Sequence, residues 1–154
     1  MSSHPNKPQL MKTNWLLTIL PMLLLFAVEA AGESTPKYVL IVNKANKIDT
    51  LTKSKVRFIY HRKVSRWPWG AEILPLDLPE RSPARRDFSQ SVLGRSVEEL
   101  AVYWIEEKMT RNANPPARVP TAAAAKAIVA SRAGAICYIP ANAVDDTVKV
   151  IEVK

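Results

Sequence analysis

An apolar stretch from Thr13 to Ala31 sets the N-terminal part of this 154-residue chain apart from whatever folds downstream. Read from Met11, it has a short basic start at Lys12, an apolar core from Leu16 to Val28, and Val28-Glu29-Ala30 before Ala31. That is the small-residue pattern a signal peptidase accepts. The expectation is an exported, periplasmic protein cleaved near Ala30, with residues 1–30 as extension and signal peptide and 31–154 as one domain. A retained membrane anchor is the alternative, disfavoured because the core is short and broken by Pro21. Met1 to Leu10 reads as a polar extension, so the start codon is Met1 or Met11.

The remaining 124 residues carry 20 Lys and Arg against 13 Asp and Glu. A net charge of this sign biases the long-range field toward anionic partners without identifying one. Cys137 is the only cysteine of the chain, so no intramolecular disulfide forms and the domain must be held by packing. It sits in Ala135-Ile136-Cys137-Tyr138-Ile139, which reads as a buried strand and an inert thiol. His4 and His61 stand far apart, so the sequence offers no metal site and implies no cofactor.

Strand-like and helix-like segments alternate. Tyr38 to Val42 is an apolar run of strand length, of the kind covered on both faces. Thr52 caps a predicted helix with Leu51 and Val56 as its staple, and Val56, Ile59 and Tyr60 share one side. Its opposite side is basic, from Lys53 through Arg66, and runs into Trp67-Pro68-Trp69-Gly70. Basic residues beside aromatics can bind nucleic acid. In an exported chain the pattern reads instead as a solvated helix face followed by a packed Trp corner.

Ile73, Leu74 and Leu76 suggest a short strand with Pro75 at an edge or end. Ser82-Pro83 starts a helix, with Ala84, Phe88 and Val92 on one face and Gly94 ending it in a left-handed conformation. Ser96 and Glu99 form a capping box, and Val97, Leu100, Ala101, Trp104 and Ile105 follow helical spacing and are expected in the core. Residues 110–120, rich in Asn and Pro, should cross the surface as a loop. Thr121 caps an alanine-rich helix to about Arg132, Gly134 turns the chain into the strand Ala135 to Ile139, and Thr147 to Val153 reads as a last strand.

Taken together, Leu51-Thr52, Val56, Ile59-Tyr60, Lys63, Trp67-Pro68, Glu80-Arg81-Ser82-Pro83 ahead of Phe88, and Gly134-Ala135-Ile136 with Tyr138 resemble a short phosphate-binding-protein-like domain. The relatives are substrate-binding proteins of phosphate ABC importers, and the resemblance runs from about Tyr38 to Val153. It implies an α/β fold: a single lobe of a type II periplasmic binding protein-like architecture, a mixed sheet flanked by helices. Full-length members hold phosphate between two lobes with a loop entering a helix, an Asp-Gly-Ser-Gly-Thr-like sequence with an arginine upstream. The matching positions here are Glu80, Arg81, Ser82, Pro83 and Ala84, with Leu78 in place of the arginine, so only the serine is kept. Cys137 and Arg62 each stand where the family commonly has glycine.

Three functions are compatible with these residues. The first is weak or partner-dependent binding of phosphate or a similar oxyanion at the Ser82 helix start, with Arg81 and Arg85 supplying charge. The second is a periplasmic interaction module with no small-molecule ligand, docking on a transporter, an outer-membrane pore or a second copy of itself, with Trp67 and Trp69 as a patch. The third, catalysis, is set aside. Glu98, Glu106 and Glu107 read as a solvated face, Ser82 has no base at a suitable spacing, and the chain is expected not to be an enzyme.

Overall fold

The computed structural model describes residues 1–2 and 38–154. The signal segment and its cleavage site lie outside the described residues. The chain divides into two compact units, Met1–Gly32 and Glu33–Lys154, and the second carries the sheet.

That unit is a mixed α/β layer with the strand order β2-β6-β1-β5-β3-β4. Strand β1 (Val39–Val42) is central, antiparallel to β5 (Ala135–Ile139) on one side and to β6 (Lys149–Val153) on the other. β3 (Leu74–Asp77) runs parallel to β5, and two-residue strands extend both edges: β2 (Thr50–Leu51) beside β6 and β4 (Ala117–Arg118) beside β3. The short edges expose little unpaired backbone.

Register assigns side chains to faces. Leu40, Tyr138 and Ile151 are aligned across β1, β5 and β6 and therefore share a face. Phe88 stacks on the Tyr138 ring at 4.0 Å, and Tyr60 meets Phe88 edge-on at 4.7 Å. This aromatic cluster ties helices α1 (Lys53–Tyr60) and α2 (Pro83–Phe88) to the sheet. Both begin as expected: the side-chain oxygens of Thr52 and Ser82 accept from the amides of Lys55 and Arg85. Pro75 is accommodated because β4 pairs with β3 only from Leu76 onward. Leu74 donates toward β5, to Gly134, so strand alternation turns the Pro75 nitrogen to the unpaired side.

Several expectations need correction. The Ser82 helix is not uniform: after Phe88 it widens into a π-helical turn, Ser89–Leu93, before Gly94 closes it at φ 71°. The hydroxyls of Ser89 and Ser91 donate to the carbonyls of Arg85 and Asp87 at 2.7 and 2.6 Å, competing for the acceptors an α-helix would use. The 110–120 segment is not all loop, since α3 (Val97–Arg111) reaches Arg111 and β4 lies within the stretch.

The tryptophan corner is part of the core. Trp67 is buried, stacks on Trp69 at 5.3 Å and donates Nε1–H to the Gly134 carbonyl at 3.1 Å. Trp67 is therefore not available to a docking patch, and Trp69 is half-buried against it. Of the α3 residues assigned to the core, only Val97 and Leu100 are buried, and Ala101 and Ile105 face solvent. At about 100° per residue Ile105 is turned about 140° from Leu100, whereas Ala101 stays within about 40° of Val97 and is exposed without leaving that side. Helix α4 (Ala122–Ser131), capped by Thr121, packs its Ala125 and Val129 side against β5 and β1.

Candidate functional site

The C-terminal end of a strand between helical connections is where an open α/β layer usually places its ligand. β3 ends there in Asp77, a carboxylate that the apolar run Leu74-Pro75-Leu76 delivers into the interior, 4 % exposed. The Tyr138 hydroxyl donates to its Oδ1, and a guanidinium N–H of Arg85 reaches the same oxygen at 2.6 Å. The Leu78 amide donates back to the Tyr138 hydroxyl at 3.1 Å, and the Tyr60 hydroxyl donates to the Leu76 carbonyl at 3.2 Å. Burial pushes the Asp77 carboxyl up from its ordinary range, against the opposing pull of Arg85 and the Tyr138 hydrogen bond. Burial and the Asp77 charge likewise push the Tyr138 phenol well up, so it stays a protonated donor.

A cavity of about 360 Å³ opens beside this network. Its polar wall carries Asp77, Arg85, Glu80 and Arg118, and its apolar wall includes Trp104 and Pro116. Arg118 and Glu80 form a second ion pair at 2.8 Å, more than half exposed, so the four charges balance. Arg85 Nε has no partner among the described residues.

The structure places the three residues singled out in the sequence in different situations. Ser82 is the N-cap of α2, its hydroxyl accepting from the Arg85 amide at 3.4 Å. Arg85 lines the cavity, with its side chain 6 % exposed and its guanidinium committed to Asp77. Arg81 is exposed, outside the cavity lining, and its carbonyl accepts from the Arg86 guanidinium at 3.1 Å. The first turn has little amide capacity to spare. Pro83 has no N–H, Ser82 Oγ takes the Arg85 amide, and the Ser82 carbonyl takes that of Arg86.

Sequence reasoning missed Asp77 and Arg118. A lone acid ending an apolar strand, followed eight residues later by an arginine on the next helix, was the signal available for the first. Arg118 lies in a segment that reads in the sequence as featureless loop.

A second concavity, about 1010 Å³, is lined by Leu40, Ile151, Val153, Asp87 and the Gln90–Val92 segment. It is larger but predominantly apolar, and its charged residues are Asp49, Asp87, Glu152 and Lys53. A rim with three acids and one base has the wrong sign for an anion.

Solved structures share this fold. An ABC-type phosphate transport receptor from Vibrio cholerae superposes with a TM-score of 0.60 at 21% identity, over 76% of this chain and 46% of that one. A putative phosphate ABC transporter substrate-binding protein with bound phosphate from Clostridium perfringens gives 0.60 at 27% identity, over 76% and 44%. The fold is a phosphate-binding-protein-like single lobe. PstS from Borrelia burgdorferi agrees, at 0.58 and 13% identity over 77% and 47%. The lobe thus spans less than half the length of these relatives. No protein-family model and no curated protein matches the chain. Among the described residues of the lobe, no helix is long and apolar enough to cross a membrane, and no cluster of metal-ligating side chains occurs.

Leu78, directly after β3, is buried, and Cys137 is a core thiol pushed up strongly by burial. Arg62 holds a left-handed backbone, φ 59°, a conformation that glycine adopts freely and a residue with a Cβ does not.

Proposed function

We propose that the chain is an exported, non-enzymatic solute-binding-like lobe that takes phosphate or a similar oxyanion weakly, or only when a partner completes the enclosure. One observation carries this reading: a fold shared with phosphate receptors, in which a cavity lined by Arg85 and Arg118 opens beside the Ser82 helix start. An anion entering there has to share Arg85 with Asp77 and Arg118 with Glu80, which limits its affinity. Arg81, exposed beside the cap, adds charge at the approach. The missing wall would come from a second lobe, from another copy of the chain or from a transporter or pore component.

Calorimetric titration with phosphate and with sulfate tests the reading. Dissociation constants near the millimolar range are expected, about −4 kcal/mol. Arg81→Ala and Ser82→Ala should each weaken binding, and added salt should weaken it further. No heat with either anion at tens of millimolar would leave an interaction module as the better description.

A further inference from the structure

The cavity beside Asp77 is larger than a bare oxyanion needs, and one of its walls is apolar. Its volume of about 360 Å³ equals that of roughly twelve waters, far more than a tetrahedral anion fills. It falls instead in the range of clefts that enclose organic molecules. The apolar wall comes mainly from α3: Val97, Ala101 and Trp104, spaced four and three residues apart, lie within about 60° of one another around the helix. That placement explains a residue that core packing does not. Ala101 is on the same side as Val97 yet exposed, because the cavity lies in front of it. Trp104, next along that side, is half-buried and lines the same space, and buried Pro116 completes the wall from the segment leading into β4.

The polar wall by itself gives a bare anion little. Two arginines stand against two carboxylates, and Arg85 is tied to Asp77 in a buried pair. Arg118 is the guanidinium with freedom to turn, since its ion pair with Glu80 is more than half exposed and such pairs are worth little. What the cavity offers beyond charge is a surface for an apolar group, with the Trp104 indole as its largest part. Resting on oxyanion binding at this site, we propose that the occupant is an organic oxyanion, a phosphonate or phosphate monoester whose aromatic group lies against the Val97, Ala101 and Trp104 wall while its anionic head meets Arg118. The ring covers apolar surface that inorganic phosphate leaves wet. Selectivity is then set by α3 and not by the helix start at Ser82.

Calorimetric titration of the whole chain with phenylphosphonate, inorganic phosphate and benzyl alcohol, at one pH and ionic strength, tests this. Phenylphosphonate is expected to bind at least about fivefold more tightly than phosphate, and benzyl alcohol, a ring without the anion, not measurably. Trp104→Ala should bring the ratio of the two anion affinities toward one. Ala101→Leu, at an exposed helical position, fills the same space and gives that readout should Trp104→Ala fail to fold. Equal affinity for phenylphosphonate and phosphate in the unaltered chain would overturn the inference and leave oxyanion binding standing. A preference that survives both substitutions would also overturn it, as would benzyl alcohol binding as tightly as phenylphosphonate. No heat with either anion would remove both readings together.

Discussion

The Arg85 guanidinium meets the Asp77 carboxylate at 2.6 Å, with both side chains about 6 % exposed, at the inner wall of the one described cavity that carries two arginines. This pair joins the end of β3 to the first turn of α2 and is anchored to β5 through Tyr138. It serves the architecture first, and any anion must negotiate with it.

Removing one member should show this. Asp77→Ala leaves the Arg85 charge buried without compensation and should cost about 3 kcal/mol or more in urea denaturation. Pairing it with Arg85→Met should recover most of that loss, because an apolar pair of similar volume does not need the missing charge. A double variant as unstable as Asp77→Ala would mean that the pair is not the source of the effect.

Arg62 has the left-handed φ of 59° that follows the C-terminus of α1. Arg62→Gly removes the steric cost of holding a Cβ there, offset in part by glycine's greater freedom when unfolded. A net gain of about 0.5–1 kcal/mol is expected from the denaturation midpoint. A loss would indicate that the Arg62 side chain contributes more than its backbone costs.

Gly134 is demanded by proximity. A Cβ built on it would lie 1.9 Å from the Glu72 carbonyl oxygen. Gly134→Ala must displace that backbone and disturb the Trp67 bond to the Gly134 carbonyl, at about 1–3 kcal/mol. Tryptophan fluorescence should shift along with the loss of stability, and an unchanged midpoint would contradict the close approach.

His61, half-buried against Tyr103 at 4.9 Å, is held below its ordinary value by burial and then by Arg95, Lys63 and Arg57. As pH falls below about 6.5 the unfolded chain takes up this proton more readily than the folded one, so stability present at neutral pH is lost on acidification. His61→Gln should flatten the stability profile between about pH 7.5 and 5.5. An unaltered slope would remove His61 as its source.

The main elements were legible where local chemistry decides them. The Thr52, Ser82, Ser96 and Thr121 caps, the Gly94 stop and the strands at β1 and β5 each arise from residues within one turn of the chain. What could not be read depends on contacts distant in sequence. β2 and β4 are strands only because β6 and β3 lie beside them. The side of α3 that meets the core is chosen by packing, and its spacing alone could not separate Leu100, buried, from Ile105, exposed. Asp77 reads as a mere strand end until Tyr138, 61 residues away, is placed against it.

The most direct measurement of the central claim is backbone amide NMR of the protein during phosphate titration. If the lobe takes an oxyanion in the cavity lined by Arg85 and Arg118, with Arg81 adding charge at its approach, the largest shift changes fall on the amides of Arg81, Ser82, Ala84, Arg85, Arg86 and Arg118, saturate in the millimolar range and diminish in Arg81→Ala. Changes confined to the basic residues of α1 and the turn after it, around Lys55 and Arg62, or none at all, would contradict it.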